Sequence, residues 1–389
     1  MGEYQYYEFL AIDRPLDTSQ LEELRALSTR ARISPTSFVN TYHWGDFKGD
    51  PQMLMARYFD ASLYLANWGT RRLMIRLPSS LLDLQTARDH CVGESACAWP
   101  AKDNVIVELN SEEAEGYWED SDEASLATIV PVRSELAGGD QRLLYLAWLL
   151  SVDAGELDGD ALEPCVPRGL ASLSKSLQSL VEFLRIDEDL LVVAAEMSEP
   201  LITTEPSTAE LTRLVTRLPE QDKNTLLARL AAGEPHLRME LVRRFRGETH
   251  PAVDGSGARM VAELRDAAAS HRTRREQLVA GRQAQEKARR ERAEAAAYER
   301  RLATLAKRQE EAWKQVYAAI DTCQPSRYDM AIELLKDLRA ISEREQRIEA
   351  FERQLLELRQ MHSKKHSLLQ RLDRGDLGAK TRSPHEEKR

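Results

Sequence analysis

Residues 4–12 read YQYYEFLAI, and the whole front of the chain is interpreted from this stretch. Aromatic and branched side chains crowd it, so it reads as a β-strand. Working outward, Asp17-Thr18-Ser19-Gln20-Leu21-Glu22-Glu23 opens a helix. Thr18 or Asp17 is its N-cap, acidic residues fill its first turn, and Leu21, Leu24 and Leu27 supply its apolar stripe. Residues 37–44 (SFVNTYHW) read as a second strand, Gly45 and Gly49 mark a loop, and Asp50 caps a short helix running to Tyr58. Residues 62–66 and 73–77 are strands around a turn at Asn67-Trp68-Gly69, and residues 104–109 (NVIVEL) form a further strand. The order β-α-β-α-β-β predicts an α+β sandwich of ferredoxin-like arrangement.

Beyond it the character changes. The run EEAEGYWEDSDE (residues 112–123) is acidic and poor in apolar residues, as a solvated loop would be. Residues 126–149 and 170–184 carry apolar side chains at three- and four-residue spacing, which predicts two helices around an acidic Gly/Pro-containing loop. A further helix is expected over 186–197, and a linker near 198–207 holds Pro200 and Pro206. Short helices follow over 209–218 and 220–232, and Gly233-Glu234-Pro235 is a stop-and-restart signal before a third at 236–245.

From 258 to 320 there is no Pro, and Ala, Glu, Arg, Gln, Lys and Leu dominate, which predicts a long charged helix. Its middle, residues 271–297, has Leu278 and Val279 as its large apolar residues, too few for a packed coiled coil, and Gly281 is the natural place for a bend. Pro325 ends the rod. Stripes at Tyr328, Ile332, Leu335 and Leu338 and at Ile348, Phe351, Leu355 and Leu358 can then bury one another, with the rod's last turns, as a small bundle. The expected domains are therefore 1–110 (α+β), 111–198 (acidic loop and helices), 207–248 (short helices), 258–322 (long helix), 326–374 (bundle) and a polar tail over 375–389.

The 389 residues carry 54 Lys+Arg and 64 Asp+Glu, a formal net charge of −10. The charge is unevenly placed: residues 259–389 hold 30 basic and 22 acidic side chains (+8), and the preceding 258 residues carry −18. Such a split suggests two kinds of surface and two kinds of partner. The longest apolar runs, as over 143–152, are too short to span a bilayer, the opening residues lack the pattern of a secretory leader, and four cysteines without a regular framework suit a reducing compartment. A cytoplasmic location with no membrane partner is the expectation.

Chemistry-bearing patterns are sparse. His90, Cys91 and Cys97 invite a zinc reading, yet the cysteines are six positions apart with no second pair to complete four ligands. Ser172-Leu173-Ser174-Lys175 matches SxxK without the SDN- and KTG-like partners of that chemistry. Asp153, Glu156, Asp158 and Asp160 lack the spacing of a twelve-residue calcium loop. The sequence contains no GxxxxGK[ST], GxGxxG, GxSxG or HExxH. No catalytic residue, cofactor or metal is assigned, and a non-enzymatic protein is expected.

Two features carry more. Tyr4, Tyr6, Tyr7 and Phe9 on one strand could stack single-stranded bases if the sheet were open, or could pack against helices on its faces. The basic rod includes Arg272, Arg274, Arg275, Arg289, Arg290, Arg300 and Arg301, candidates for phosphate contact. Interleaved acids such as Glu286, four residues before Arg290, also describe a helix that keeps itself solvated.

Three stretches, YQYYEFLAIDRPL, SPTSFVNTYHWGDFKGDP and YLANWGTRRLMIRLP, resemble the opening of a family of uncharacterised bacterial proteins. Further on, LLARLAAGEPHLRMELVRRFR, the charged rod, RYDMAIELLKDLRAISER and KKHSLLQRLDR resemble the C-terminal tails of bacterial SWIM zinc-finger proteins. The SWIM motif is a CxC pair followed by Cys-x-His; this chain contains no CxC, so the resemblance implies no zinc ligand here. It implies a docking or assembly module in which Tyr328, Leu335, Leu338, Lys364, Lys365, Leu368 and Leu369 recur. The expected function is that of a non-catalytic adaptor or scaffold, binding a protein partner or another copy of itself through the C-terminal helices. The alternative is a nucleic-acid-associated protein whose long helix contacts the phosphate backbone.

Overall fold

The computed structural model describes residues 4–112, 125–201, 207–233, 237–249 and 258–377. Most of the acidic run, the restart at Glu234-Pro235, part of the linker and all of the polar tail beyond 377 lie outside the described residues. The chain divides into two compact units, Met1–Glu276 and Gln277–Arg389.

The first unit is α+β. Its strands are β1 (Gln5–Leu10), β2 (Arg32–Ser34), β3 (Ser37–Tyr42), β4 (Ala61–Ala66), β5 (Arg71–Pro78), β6 (Ala96–Ala101) and β7 (Asn104–Ser111). They form one sheet in the order β2-β3-β1-β4-β5-β7-β6, with every neighbouring pair antiparallel. Helix α1 (Thr18–Leu27) connects β1 to β2, and α2 (Pro51–Arg57) connects β3 to β4, so each β-α-β unit encloses a strand of the other. Asp17 rather than Thr18 caps α1, whose first turn holds no acidic residue, and Asp50 caps α2 as the sequence signals. Asp17 accepts the Gln20 N–H and the Gln20 side chain returns the bond; Asp50 accepts from Gln52 and Met53, with Pro51 in the first turn. Gly69, at φ 101°, takes the left-handed position of the β4–β5 turn. Strands β2 and β6 and helix α3 (Leu84–Arg88) add to the expected elements. Short length hides β2, and Pro100 demotes β6, which is an edge strand, where a missing N–H is tolerated.

Both faces of the sheet are covered. Phe9, Phe38, Met74 and Ile106 bury against Leu24 of α1 and Leu54 and Met55 of α2. Leu63, Leu73, Ile75, Val105 and Val107, on the opposite face, pack beneath a helical layer. That layer comprises α4 (Leu126–Ile129), α5 (Pro131–Ala137), α6 (Arg142–Asp153), a 3-10 turn (Leu170–Ser172), α7 (Lys175–Leu184) and α8 (Glu188–Ala195). The single helix expected over 126–149 is thus three. Pro131 starts a new helix after Val130, and Gly138 and Gly139 end it, Gly139 at φ 90°. Ser174 caps α7 and Asp187 caps α8. Helices α9 (Thr208–Arg217), α10 (Glu220–Ala231) and α11 (Leu237–Thr249) follow.

Two clusters of buried charge are paired and hydrogen-bonded, as desolvation requires. Asp60, 1% exposed, receives the Ile12 and Asp13 N–H groups on Oδ2 at 2.7 and 2.9 Å and the Arg76 guanidinium on Oδ1 at 2.7 Å. Arg133 of α5 joins it, bonding Asp13 at 2.6 Å and the Arg76 carbonyl at 2.8 Å, which pins the helical layer to β5. Glu163, 5% exposed, accepts Arg259 on both oxygens at 2.8 Å and the Tyr145 hydroxyl.

Helix α12 (Val261–Ala306) begins directly after this Arg259 anchor and runs through Gly281 without interruption. It ends at Ala306 rather than continuing to 320; Arg308, at φ −133°, separates it from α13 (Gln309–Asp321). In the second unit, α13, α14 (Pro325–Arg344), α15 (Ile348–Met361) and α16 (His366–Arg374) bury Val316, Ile320, Leu335, Phe351, Leu358 and Leu368 in one core. Pro325 sits in the first turn of α14, where its missing donor costs nothing.

Candidate functional site

The antiparallel register lines up two rows of side chains on the α1/α2 face. Asn40, Tyr7, Tyr64, Arg72 and Asn110 face one another across β3, β1, β4, β5 and β7. Phe38, Phe9, Ser62, Met74, Glu108 and Cys97 form the next row. The second row is apolar where the helices cover it. The first is polar and aromatic, and here a cavity of about 380 Å³ opens, lined by Tyr7, Phe47, Tyr64, Arg72, Met74 and Glu112 among others. Its size falls within the range of small-molecule sites.

A network holds its walls. The Tyr7 hydroxyl donates to Gln5 Oε1 at 3.0 Å and the Tyr64 hydroxyl to the same atom at 3.3 Å. Gln5, 3% exposed, uses its amide to hold Asp46 at 2.9 Å, which fixes the loop carrying Phe47. Glu108, 6% exposed, receives Gln52 of α2 at 2.8 Å and lies 3.0 Å from Arg72 Nε. Burial raises the Tyr7 phenol well above its ordinary value, reinforced by Tyr64, and raises Tyr64 as well, so both stay protonated and their oxygens present acceptor lone pairs. Nothing in the sequence spacing signals this site; period-2 alternation places Tyr7, Tyr64 and Arg72 on some face, but not on the same one.

The structure separates the aromatic quartet. Tyr7 and Phe9 lie on the α1/α2 face, and Tyr6 packs against the core under the helical layer. Tyr64 and Phe47 lie against Tyr7 at centroid distances of 4.6 and 5.1 Å, and Phe9 is 1% exposed, so these rings stack on one another. His90 bonds the Thr86 carbonyl at 3.0 Å through Nδ1. Burial pushes the Cys91 thiol up to about 12, and burial with the Glu108 carboxylate pushes Cys97 up to about 11, so neither is a thiolate at neutral pH. Among the described residues no cluster of three or more His, Cys, Asp or Glu side chains is placed to hold a metal ion. Ser172 and Lys175 are exposed, and Glu156 receives the Ser95 N–H and hydroxyl at 3.0 and 2.8 Å, tying its acidic loop to the start of β6.

Of the basic residues on α12, Arg275 bonds Asp189 at 2.7 Å, with His271 on the same carboxylate at 2.8 Å, and Arg272 pairs with Asp187. Arg275 and His271 hydrogen bonds outweigh burial and hold the Asp189 carboxyl well below its usual range. Arg290 pairs with Glu294 at 2.8 Å and Arg301 with the buried Asp337. Arg274, Arg289 and Arg300 are exposed. In the tail, Tyr328, Leu335, Leu338 and Leu368 are buried and Leu369 packs against the same core. Lys365 donates to the Ile320 carbonyl at 2.9 Å, capping the end of α13, and Lys364 is exposed. Among the described residues, no helix is long and apolar enough to cross a membrane.

Comparison with protein-family models, curated proteins and solved structures finds no match to this chain.

Proposed function

We propose that this protein is a non-catalytic cytoplasmic adaptor or scaffold whose C-terminal helical unit engages a protein partner or a second copy of itself. The carrying observation is that the chain builds two units, each around its own apolar core, with residues 277–287 and 289–301 of α12 exposed. Of the tail residues that recur in the SWIM-like resemblance, Tyr328, Leu335, Leu338, Leu368 and Leu369 serve the bundle's own core, so docking falls to its surface, where Lys364 joins the exposed Met330, Leu356 and Met361. The β-α-β-β-α-β opening is read as a ferredoxin-like block extended by β5, β6 and β7.

The nucleic-acid reading keeps the exposed Arg274, Arg289 and Arg300 in its favour. Against it, Arg272, Arg275, Arg290 and Arg301 are neutralised by Asp187, Asp189, Glu294 and Asp337. The discriminating experiment is capture with the full chain from its native cell, with and without nuclease and at low and high salt. A defined protein, or tagged copies of the chain, retained in stoichiometric amount after nuclease supports the adaptor. Partners that vanish with nuclease, with binding that falls steeply with salt, reject it in favour of phosphate contact.

A further inference from the structure

We infer that the sheet-face cavity is a binding site for a free α-amino acid with a large apolar side chain. The argument begins with what the cavity leaves unmatched. Arg72 Nε lies 3.0 Å from Glu108 in an ion pair, and among the described residues its two terminal nitrogens have no hydrogen-bond partner, the side chain being about one-third exposed. A guanidinium with two terminal N–H edges free is a fork for a carboxylate. The balancing charge is not another anion to be neutralised, since Glu108 already matches Arg72. What remains is the carboxylate of Glu112, exposed at the mouth and without an ion pair among the described residues.

Arg72 stands opposite Asn110, and Glu112 directly follows Ser111, the last residue of β7; both Arg72 and Glu112 line the same cavity. One cationic fork and one carboxylate lining one cavity match a ligand whose ammonium and carboxylate sit on one carbon. The tyrosine oxygens, whose protons are given to Gln5, accept from the same ammonium. The partly exposed Phe47 and Pro51 also line the cavity, and about 380 Å³ leaves room for a large side chain. A nucleobase fits less well, because Tyr7 already packs against Tyr64 and Phe47 at centroid distances of 4.6 and 5.1 Å.

The test is calorimetric titration of the purified full chain with L-phenylalanine, 3-phenylpropanoate, phenethylamine and guanosine monophosphate. Phenylalanine is expected to bind saturably, and each one-ended analogue at least about tenfold more weakly, as loss of one charge-assisted partner implies. Glu112→Gln should weaken phenylalanine by about tenfold and leave 3-phenylpropanoate unchanged, because the exposed carboxylate meets the ammonium alone. Arg72→Met should abolish binding of both; should that variant unfold for want of a partner for Glu108, the Glu112 variant and the analogue series decide. No saturable binding, equal binding of a one-ended analogue, or binding of the nucleotide alone overturns the assignment. None of these outcomes bears on the adaptor reading, which the capture experiment tests separately.

Discussion

Replacing Asp60 by Asn removes one charge and changes almost no volume, and the structure makes its effect calculable. Asp60 Oδ2 faces two backbone N–H groups and Oδ1 faces the Arg76 guanidinium. An amide must direct its NH₂ at one donor set or the other, so the substitution creates a buried donor–donor contact whichever way it turns. It also leaves Arg76, 8% exposed, with its carboxylate gone and Arg133, 5% exposed, with Asp13 as its carboxylate partner. Breaking a buried pair from one side costs about 3–5 kcal/mol. For a unit of 276 residues, with an unfolding entropy near 0.6 kcal/mol per degree, this is a fall of about 5–9 °C in the melting temperature. Circular dichroism melts of the full chain measure it. Burial alone would raise the Asp60 carboxyl, but Arg76 and the two backbone donors prevail and hold it below its ordinary value. A depressed folded value gives stability that is present above the unfolded aspartate value of about 3.9 and is lost as pH falls through the folded one. The gap between wild type and Asp60→Asn is therefore expected to narrow as pH drops below about 4. A loss under about 1 kcal/mol at pH 7, or a gap independent of pH, would refute the reasoning.

Gly281 lies in uninterrupted helix with open space where a Cβ would stand, so Gly281→Ala should stabilise α12 by about 1 kcal/mol, seen as higher helical ellipticity on heating; an unchanged signal would place a break there. Leu338, 1% exposed in the bundle, should cost about 2–5 kcal/mol as Leu338→Ala in urea unfolding, whereas Lys364→Ala should stay within about 0.5 kcal/mol yet weaken partner retention. In a thiol-labelling time course at pH 8, the exposed Cys165 and Cys323 should react first, the half-buried Cys97 more slowly, and the buried Cys91 only on unfolding. Charge reversal of Arg274, Arg289 and Arg300 should leave stability unchanged and, on the adaptor reading, leave partner capture unchanged too. The same change at Arg301 should destabilise the bundle by exposing Asp337 to a like charge.

Much of the fold was legible from residues near one another in the chain. The crowding of branched and aromatic residues over 4–12, the caps at Asp17 and Asp50, the turn at Gly69 and the stripes through Tyr328 to Leu338 are local, and each acts through one or two turns of backbone. The prolines and glycines were legible too, but their consequence was underestimated: Pro131 and the Gly138-Gly139 pair divide what periodicity alone reads as one helix.

Tertiary structure decided what those elements face. The meeting of Tyr7, Tyr64, Arg72 and Glu108 depends on four strands pairing in one register, which the burial of two whole faces sets and no single strand encodes. The sequence shows the basic residues of α12 interleaved with nearby acids; in the folded chain Asp189, 86 positions before Arg275, cancels more of that charge. Charge composition and periodicity are properties of segments and so were determined by the sequence itself. Which charges remain unpaired, and where a cavity is left between packed side chains, depends on contacts between residues far apart in the chain, and only the folded structure settles it.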